Sequence, residues 1–133
     1  MPEFGNSVLC EQGFKNYRTD ENIPEGFEVR VRISYYRGIA LSLLDGYVIE
    51  VDGRTYEGDD ISFSLDGKKF IKTSDFGKYP DLRWEYGDKA YLKVHSPGGL
   101  KRGLHKVKVT QKIAVPYLPF STAFYQEKML TIV

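Results

Sequence analysis

A chain of 133 residues fits one domain, long enough to bury roughly two thirds of its unfolded surface around a single core without disulfides or metal. Its 19 basic and 18 acidic residues are interspersed and leave a formal charge of +1, so no basic stripe tracks a phosphate backbone, and nucleic acid is not an expected partner. Cys10 stands alone, which excludes an internal disulfide and a multi-cysteine zinc cluster; residues 1–16 carry neither a cationic start nor a long apolar run, and no segment is apolar over a bilayer's width, so a cytoplasmic protein is expected, with no membrane partner.

Residues 1–26 read as an N-terminal strand and loop leading into a core over 27–133, the whole forming a single domain. "FEVRVRISYY" places Phe27, Val29, Val31, Ile33 and Tyr35 on one face and Glu28, Arg30, Arg32, Ser34 and Tyr36 on the other, the period of a half-buried strand. "YVIEVDG" alternates through Tyr47, Ile49 and Val51 and ends at Asp52 and Gly53, a pair that tolerates positive φ and predicts a tight hairpin returning through Thr55 and Tyr56. "ISFSLDGKKFIK" repeats the plan, with Ile61, Phe63 and Leu65 inward, Asp66 and Gly67 turning, and Phe70 on the return. "SDFGKYPDLRWEYGD" is the least regular stretch, a loop that carries Trp84 back to the core.

Further on, "KAYLKVHSPGG" offers Ala90, Leu92 and Val94 inward, and "HKVKVTQKIAV" offers His105, Val107, Val109, Gln111 and Ile113. These two strands are expected to pair across the glycine loop between them. The β-branched end of "FYQEKMLTIV" and its lack of a capping sequence predict a last strand. Short strands punctuated by turn residues, with no long helix, predict an all-β fold: an antiparallel two-sheet β-sandwich of the immunoglobulin-like or jelly-roll type, with a small open barrel as the alternative.

Little in this pattern is catalytic. The two histidines, His95 and His105, flank the loop, but strict alternation puts them on opposite faces, and no nearby carboxylate completes a metal set, which usually takes three protein ligands. "DFG" at 75–77 lacks every companion kinase motif, the serines have no nucleophile elbow, and Asp59 and Asp60 are adjacent in a turn rather than opposed across a cleft. Gly98, Gly99 and Gly103, with Pro97, predict a shaped loop carrying Leu100 at its tip. Leu100 there either docks a partner or folds back onto the sheet. Ten Tyr, eight Phe and one Trp bunch in part with Pro and Gly, as in "SYYRG" and "AVPYLPFSTAFY". They read either as core and edge filler or as an interface or ligand platform.

"YYRGIALSLLDGYVIEVDG", "ISFSLDGKKF", Trp84 with "GDKAYLKVHSPGGLKRGLHKVKV", and "AVPYLP" occur here in the order that resembles the small β subunit of C-glycoside deglycosidases, over roughly residues 27–133. The resemblance implies a β-sandwich that associates with a larger α subunit, an isomerase-like TIM barrel holding a divalent metal such as manganese and the acid–base residues. It implies cleavage of the carbon–carbon bond between a 3-keto sugar and an aromatic, flavonoid-type aglycone, with the C-glycoside bound at or near the subunit interface. A ketone acidifies the neighbouring C–H bonds, so a base and an electrophilic metal favour loss of the aglycone once its aromatic carbon is protonated. No catalytic residue, metal ligand or cofactor is expected on this chain. The expected partner-binding set is Tyr36, Arg37, Pro97, Gly98, Gly99, Leu100, Tyr117, Pro119 and Phe120. The competing expectation is a stand-alone carbohydrate-binding β-sandwich whose aromatic side chains stack on sugars.

Overall fold

The computed structural model of the chain describes residues 9–10, 12–18, 23–32, 39–79, 81–85, 88–114 and 121–132. The alternating segments become strands with their apolar sides together. β2 (Gly26–Arg32) buries Phe27, Val29 and Val31, and β9 (Lys89–His95) buries Ala90, Leu92 and Val94. They pair antiparallel in a five-stranded sheet with β1 (Lys15–Tyr17), β6 (Ile61–Ser64) and β7 (Ile71–Lys72), in the order β1-β2-β9-β6-β7. A four-stranded sheet holds β11 (Ser121–Ile132), β10 (Gly103–Ala114), β4 (Leu44–Val51) and β5 (Arg54–Glu57), in that order. Two short strands, β3 (Ile39–Ala40) and β8 (Arg83–Trp84), pair separately. The fold is an antiparallel two-sheet β-sandwich.

Asp52 (φ 50°) and Gly53 (φ 89°) both adopt the left-handed region that a two-residue hairpin requires, and they set Val51 opposite Arg54. The second Asp-Gly unit is broader. Asp66 Oδ1 accepts from Ser64 Oγ and from the Lys68 and Lys69 N–H groups at 2.8–3.1 Å. Those donors, the backbone ones foremost, pull its carboxyl down to about 2. The return strand therefore begins only at Ile71, and Phe70 precedes it.

The expected pairing of "KAYLKVH" with "HKVKVTQKIA" does not form. β9 lies between β2 and β6, whereas β10 lies between β11 and β4 in the other sheet. The glycine turn thus carries the chain from one sheet to the other: β9 is paired along its whole length with β2, from Gly26↔His95 to Arg32↔Lys89, and β10 runs against β11 without a break from Gly103↔Ile132 to Ala114↔Ser121.

Aromatic rings fill the space between the sheets. Phe63 packs edge-on against Phe76 (5.2 Å) and Trp84 (5.3 Å) and is stacked on Tyr47 at 6.2 Å. Trp84 is fully buried and donates Nε1–H to the Asp88 carbonyl at 2.9 Å, so the irregular stretch does return its tryptophan to the core. It also delivers Phe76, held on a 3-10 turn over Thr73–Lys78. Replacing Trp84 with Ala removes the largest fully buried side chain and should lower the unfolding free energy by about 3–5 kcal/mol. Urea unfolding checks this; a loss under about 1 kcal/mol would mean the core closes over the gap.

Candidate functional site

The 97–100 turn follows β9 at the end of the sandwich where Gly26 opposes His95. It is pinned from several sides. The Ser96 N–H donates to the Glu25 carbonyl (3.0 Å), the Gly98 N–H to the Pro24 carbonyl (2.9 Å) and the Gly99 N–H to the Ser96 carbonyl (2.8 Å). Asn16 closes a pair of bonds, its Oδ1 accepting from the Leu100 N–H at 2.8 Å and its Nδ2 donating to the Leu100 carbonyl at 2.9 Å. Gly99 (φ 65°) must be glycine on two counts, since a Cβ there would sit 2.6 Å from Asn16 Oδ1 and 2.9 Å from Pro24 Cβ.

The loop is shaped, as its glycines predict, but Leu100 is half-buried and packs against the core instead of standing at a tip. Pro97 and Gly98 form the exposed rim. Beside them lies a cleft of about 330 Å³ lined by Ile23, Pro24, Glu25, His95, Pro97 and Gly98, with Ile23 64% exposed. Tyr36, Arg37, Tyr117, Pro119 and Phe120 lie outside the described residues. The strands that lead to them, β2 ending at Arg32 and β10 ending at Ala114, finish at the opposite end of the sandwich from the 97–100 turn.

The histidines part company. His95 is exposed at the end of β9, and His105 is buried on the inner face of β10 in the other sheet. His105 Nδ1 lies 2.6 Å from Asp52 Oδ2 and Nε2 lies 2.6 Å from the Lys101 carbonyl, while Phe14 meets the ring edge-on at 6.1 Å. A carbonyl can only accept, so Nε2 carries a proton, and with Nδ1 also protonated both bonds are made by an imidazolium. Burial alone would lower the pKa of His105, but the Lys101 carbonyl and the Asp52 carboxylate outweigh it and raise the pKa above 6.5. Asp52 is held below its ordinary value, first by the Lys106 N–H, which donates to Oδ1 at 2.9 Å, and then by His105.

With both ring nitrogens engaged, His105 has no lone pair to offer a metal. The described residues hold no cluster of three or more His, Cys, Asp or Glu side chains fit for one. The carboxylate beside His105 comes from 53 positions earlier in the chain, and only the register of β4 on β10 brings it there. Its sequence signal is the turn aspartate, which reads as hairpin chemistry alone.

Five of the described tyrosines carry a cationic side chain over the ring; Tyr35, Tyr36, Tyr86 and Tyr117 lie outside the described residues. Cationic side chains stand over the rings of Tyr91 (Arg30, 3.8 Å), Tyr56 (Arg54, 5.1 Å), Tyr17 (Lys93, 5.0 Å), Tyr79 (Lys69, 5.6 Å) and Tyr125 (Lys108, 4.7 Å).

A sequence profile described as C-glycoside deglycosidase beta subunit matches residues 4–117, so the likeness reaches further toward the N-terminus than residue 27 and covers the Asn16 and Pro24 anchors of the turn. The chain belongs to this family. A relative from Eubacterium cellulosolvens (strain ATCC 43171 / JCM 9499 / 6), named C-glycoside deglycosidase beta subunit, is 31% identical over 112 residues, covering 84% of this chain and 76% of the relative. As a beta subunit, the chain has a partner subunit. Among the described residues no helix is long and apolar enough to cross a membrane.

The clamp on His105 makes stability depend on pH in a definite direction. A raised histidine pKa contributes stability that is full below 6.5 and is lost as pH rises through the folded value. The lowered carboxyls of Asp52 and Asp66 contribute stability that is full above 3.8 and is lost as pH falls. Thermal melts should show a plateau between those limits. His105→Gln should lower stability at pH 6 by on the order of 1–3 kcal/mol and flatten the alkaline limb. An alkaline limb of unchanged size in that variant would assign it to another group.

Proposed function

We propose that the chain is the small supporting subunit of a C-glycoside deglycosidase whose larger α subunit, an isomerase-like TIM barrel, carries a divalent metal such as manganese together with the acid–base residues. The reaction is cleavage of the carbon–carbon bond between a 3-keto sugar and an aromatic, flavonoid-type aglycone, with the C-glycoside held at or near the subunit interface. Membership of the beta subunit family over residues 4–117 carries this reading. The engagement of His105 between Asp52 and Lys101 supports it, because the buried imidazole serves conformation. The metal is assigned to the partner, and no chemical step is given to this chain. We place the complex in the cytoplasm, in keeping with a buried Cys10 that has no disulfide.

In this reading Pro97 and Gly98 present an edge to the partner, and Gly99 and Leu100 hold that edge in shape through Asn16. Tyr36 with Arg37, and Tyr117 with Pro119 and Phe120, complete the proposed contact. Coexpression with the α subunit, followed by assay on a 3-keto C-glycoside, should give cleavage by the complex and at least a tenfold loss, roughly 1.4 kcal/mol, when this chain is omitted. Pro97→Glu and Tyr36→Ala should each weaken assembly while leaving the melting temperature of the isolated chain unchanged. Equal activity of the α subunit alone, or cleavage by this chain alone, would defeat the reading.

A further inference from the structure

The outer faces of the two sheets differ in kind. On the five-stranded sheet, Arg30 lies over Tyr91, and Lys93 over Tyr17 and Phe70, so charged stems cover the aromatic rings and Glu28 is buried opposite Lys15 and Lys93. On the four-stranded sheet Lys108 stands over Tyr125, but Leu104 and Met129 are exposed with no such cover at outward positions of β10 and β11. Of the five large apolar side chains exposed among the described residues, three stand on this face: Leu104 (63%), Tyr125 (60%) and Met129 (55%). Register puts Lys106 opposite Met129 and Thr131 opposite Leu104, so Leu104 and Met129 are diagonal neighbours in one apolar patch. Tyr125 lies two rows beyond Met129 on the same face, past Glu127 and opposite Thr110.

This face also joins the two ends of the molecule. The 97–100 turn leads into β10 just before Leu104, and residues 115–120 link the far end of β10 to β11. At about 3.4 Å per residue, the 12-residue hairpin arms span about 40 Å between those ends. With strands about 4.8 Å apart, the four strands offer on the order of 600 Å² in projection. A stable interface takes about 800 Å² from each partner, so the sheet face supplies most of that area and the exposed rim at Pro97 and Gly98 adds to it.

We propose that the outer face of the β11-β10-β4-β5 sheet, centred on Leu104, Met129 and Tyr125, is the main bearing surface for the α subunit. This rests on the reading of the chain as a subunit of that enzyme. The charges define the matching surface. β10 presents Lys106, Lys108 and Lys112, with Lys101 and Arg102 leading into it, and Glu127 is 3.6 Å from Lys106. The partner therefore offers an apolar strip for Leu104 and Met129, flanked by carboxylates facing Arg102 and Lys112.

The test compares the wild-type chain, the pair Leu104→Glu with Met129→Glu, and the pair Ser62→Glu with Lys72→Glu on the opposite face, each coexpressed with the α subunit. All four substituted side chains lie at outward positions, and folding is monitored by melting of the isolated chain. The expected result is at least a hundredfold loss of affinity in the first pair and less than threefold in the second. A benzophenone amino acid at position 129, which leaves the sheet uncharged, should crosslink to the α subunit, and one at position 62 should not. If the wild-type chain assembles and the first pair assembles equally well, the face is not the interface although the subunit reading stands. If the wild-type chain alone is a dimer that the first pair dissociates, the occupant is a second copy and the proposal falls. A wild-type chain that does not assemble overturns both.

Discussion

The unbroken antiparallel ladder from Gly103↔Ile132 to Ala114↔Ser121 decides most of what this molecule buries and presents. Because side chains alternate, one register sends His105, Val107, Val109, Gln111 and Ile113 into the core and Leu104, Lys106, Lys108 and Lys112 outward; a slip of one residue would exchange the two sets. β4 follows β10 with one irregularity, between Lys112 and Ile113, where Gly46 takes φ 140°. That bulge sets Leu44 opposite Ile113 and keeps Tyr47, Ile49 and Val51 pointing inward beyond it.

The sheets are also tied by polar groups, and these specify how one lies on the other. Tyr56 of the four-stranded sheet shares a 3.0 Å hydrogen bond with Ser96 at the end of β9, and both are buried. Gln111, fully buried, donates to Tyr47 Oη at 2.8 Å and to the Arg32 carbonyl of the other sheet at 3.2 Å. Burial drives the Tyr47 hydroxyl pKa far up, against the smaller effect of Gln111, so the ring stays neutral and its oxygen remains available to accept. Among the described residues no buried side-chain polar atom lacks a partner. Such bonds are short of range and exact in direction, so they select one packing of the sheets where apolar contact alone would tolerate several.

Period-two alternation made β2, β4, β9 and β10 legible, along with their inward residues, because burial of one sheet face leaves its mark on every second position. The turn at Asp52 and Gly53 was legible because its backbone needs residues that accept positive φ. Strand partners were not. β9 and β10 are neighbours in the chain with matching patterns, yet the turn between them hands the chain across the sandwich, and its anchors, Asn16 and Pro24, lie far back in the sequence. Leu100 followed the same rule: its fate depended on Asn16, which no local pattern connects to it. Phe76 escaped because a 3-10 turn has no apolar period to read. The meeting of His105 with Asp52 is set wholly by register, so a pattern that separated the histidines correctly could not foresee the carboxylate.

A common thread runs through the polar side chains. Asn16 spends its amide on the turn, Ser96 and Tyr56 bond to each other, Asp52 and His105 lock a hairpin to the strand beside it, and Gln111 joins the sheets. Groups engaged in this way hold conformation, and what remains open is surface: a rim at Pro97 and Gly98, and a long face bearing Leu104, Tyr125 and Met129. A rigid face reduces the ordering entropy that association must overcome, since the backbone of the contact is already fixed by the ladder behind it. The proposed division of labour follows from that economy of side chains, with the reacting groups on the partner and a preformed surface here to hold it in place.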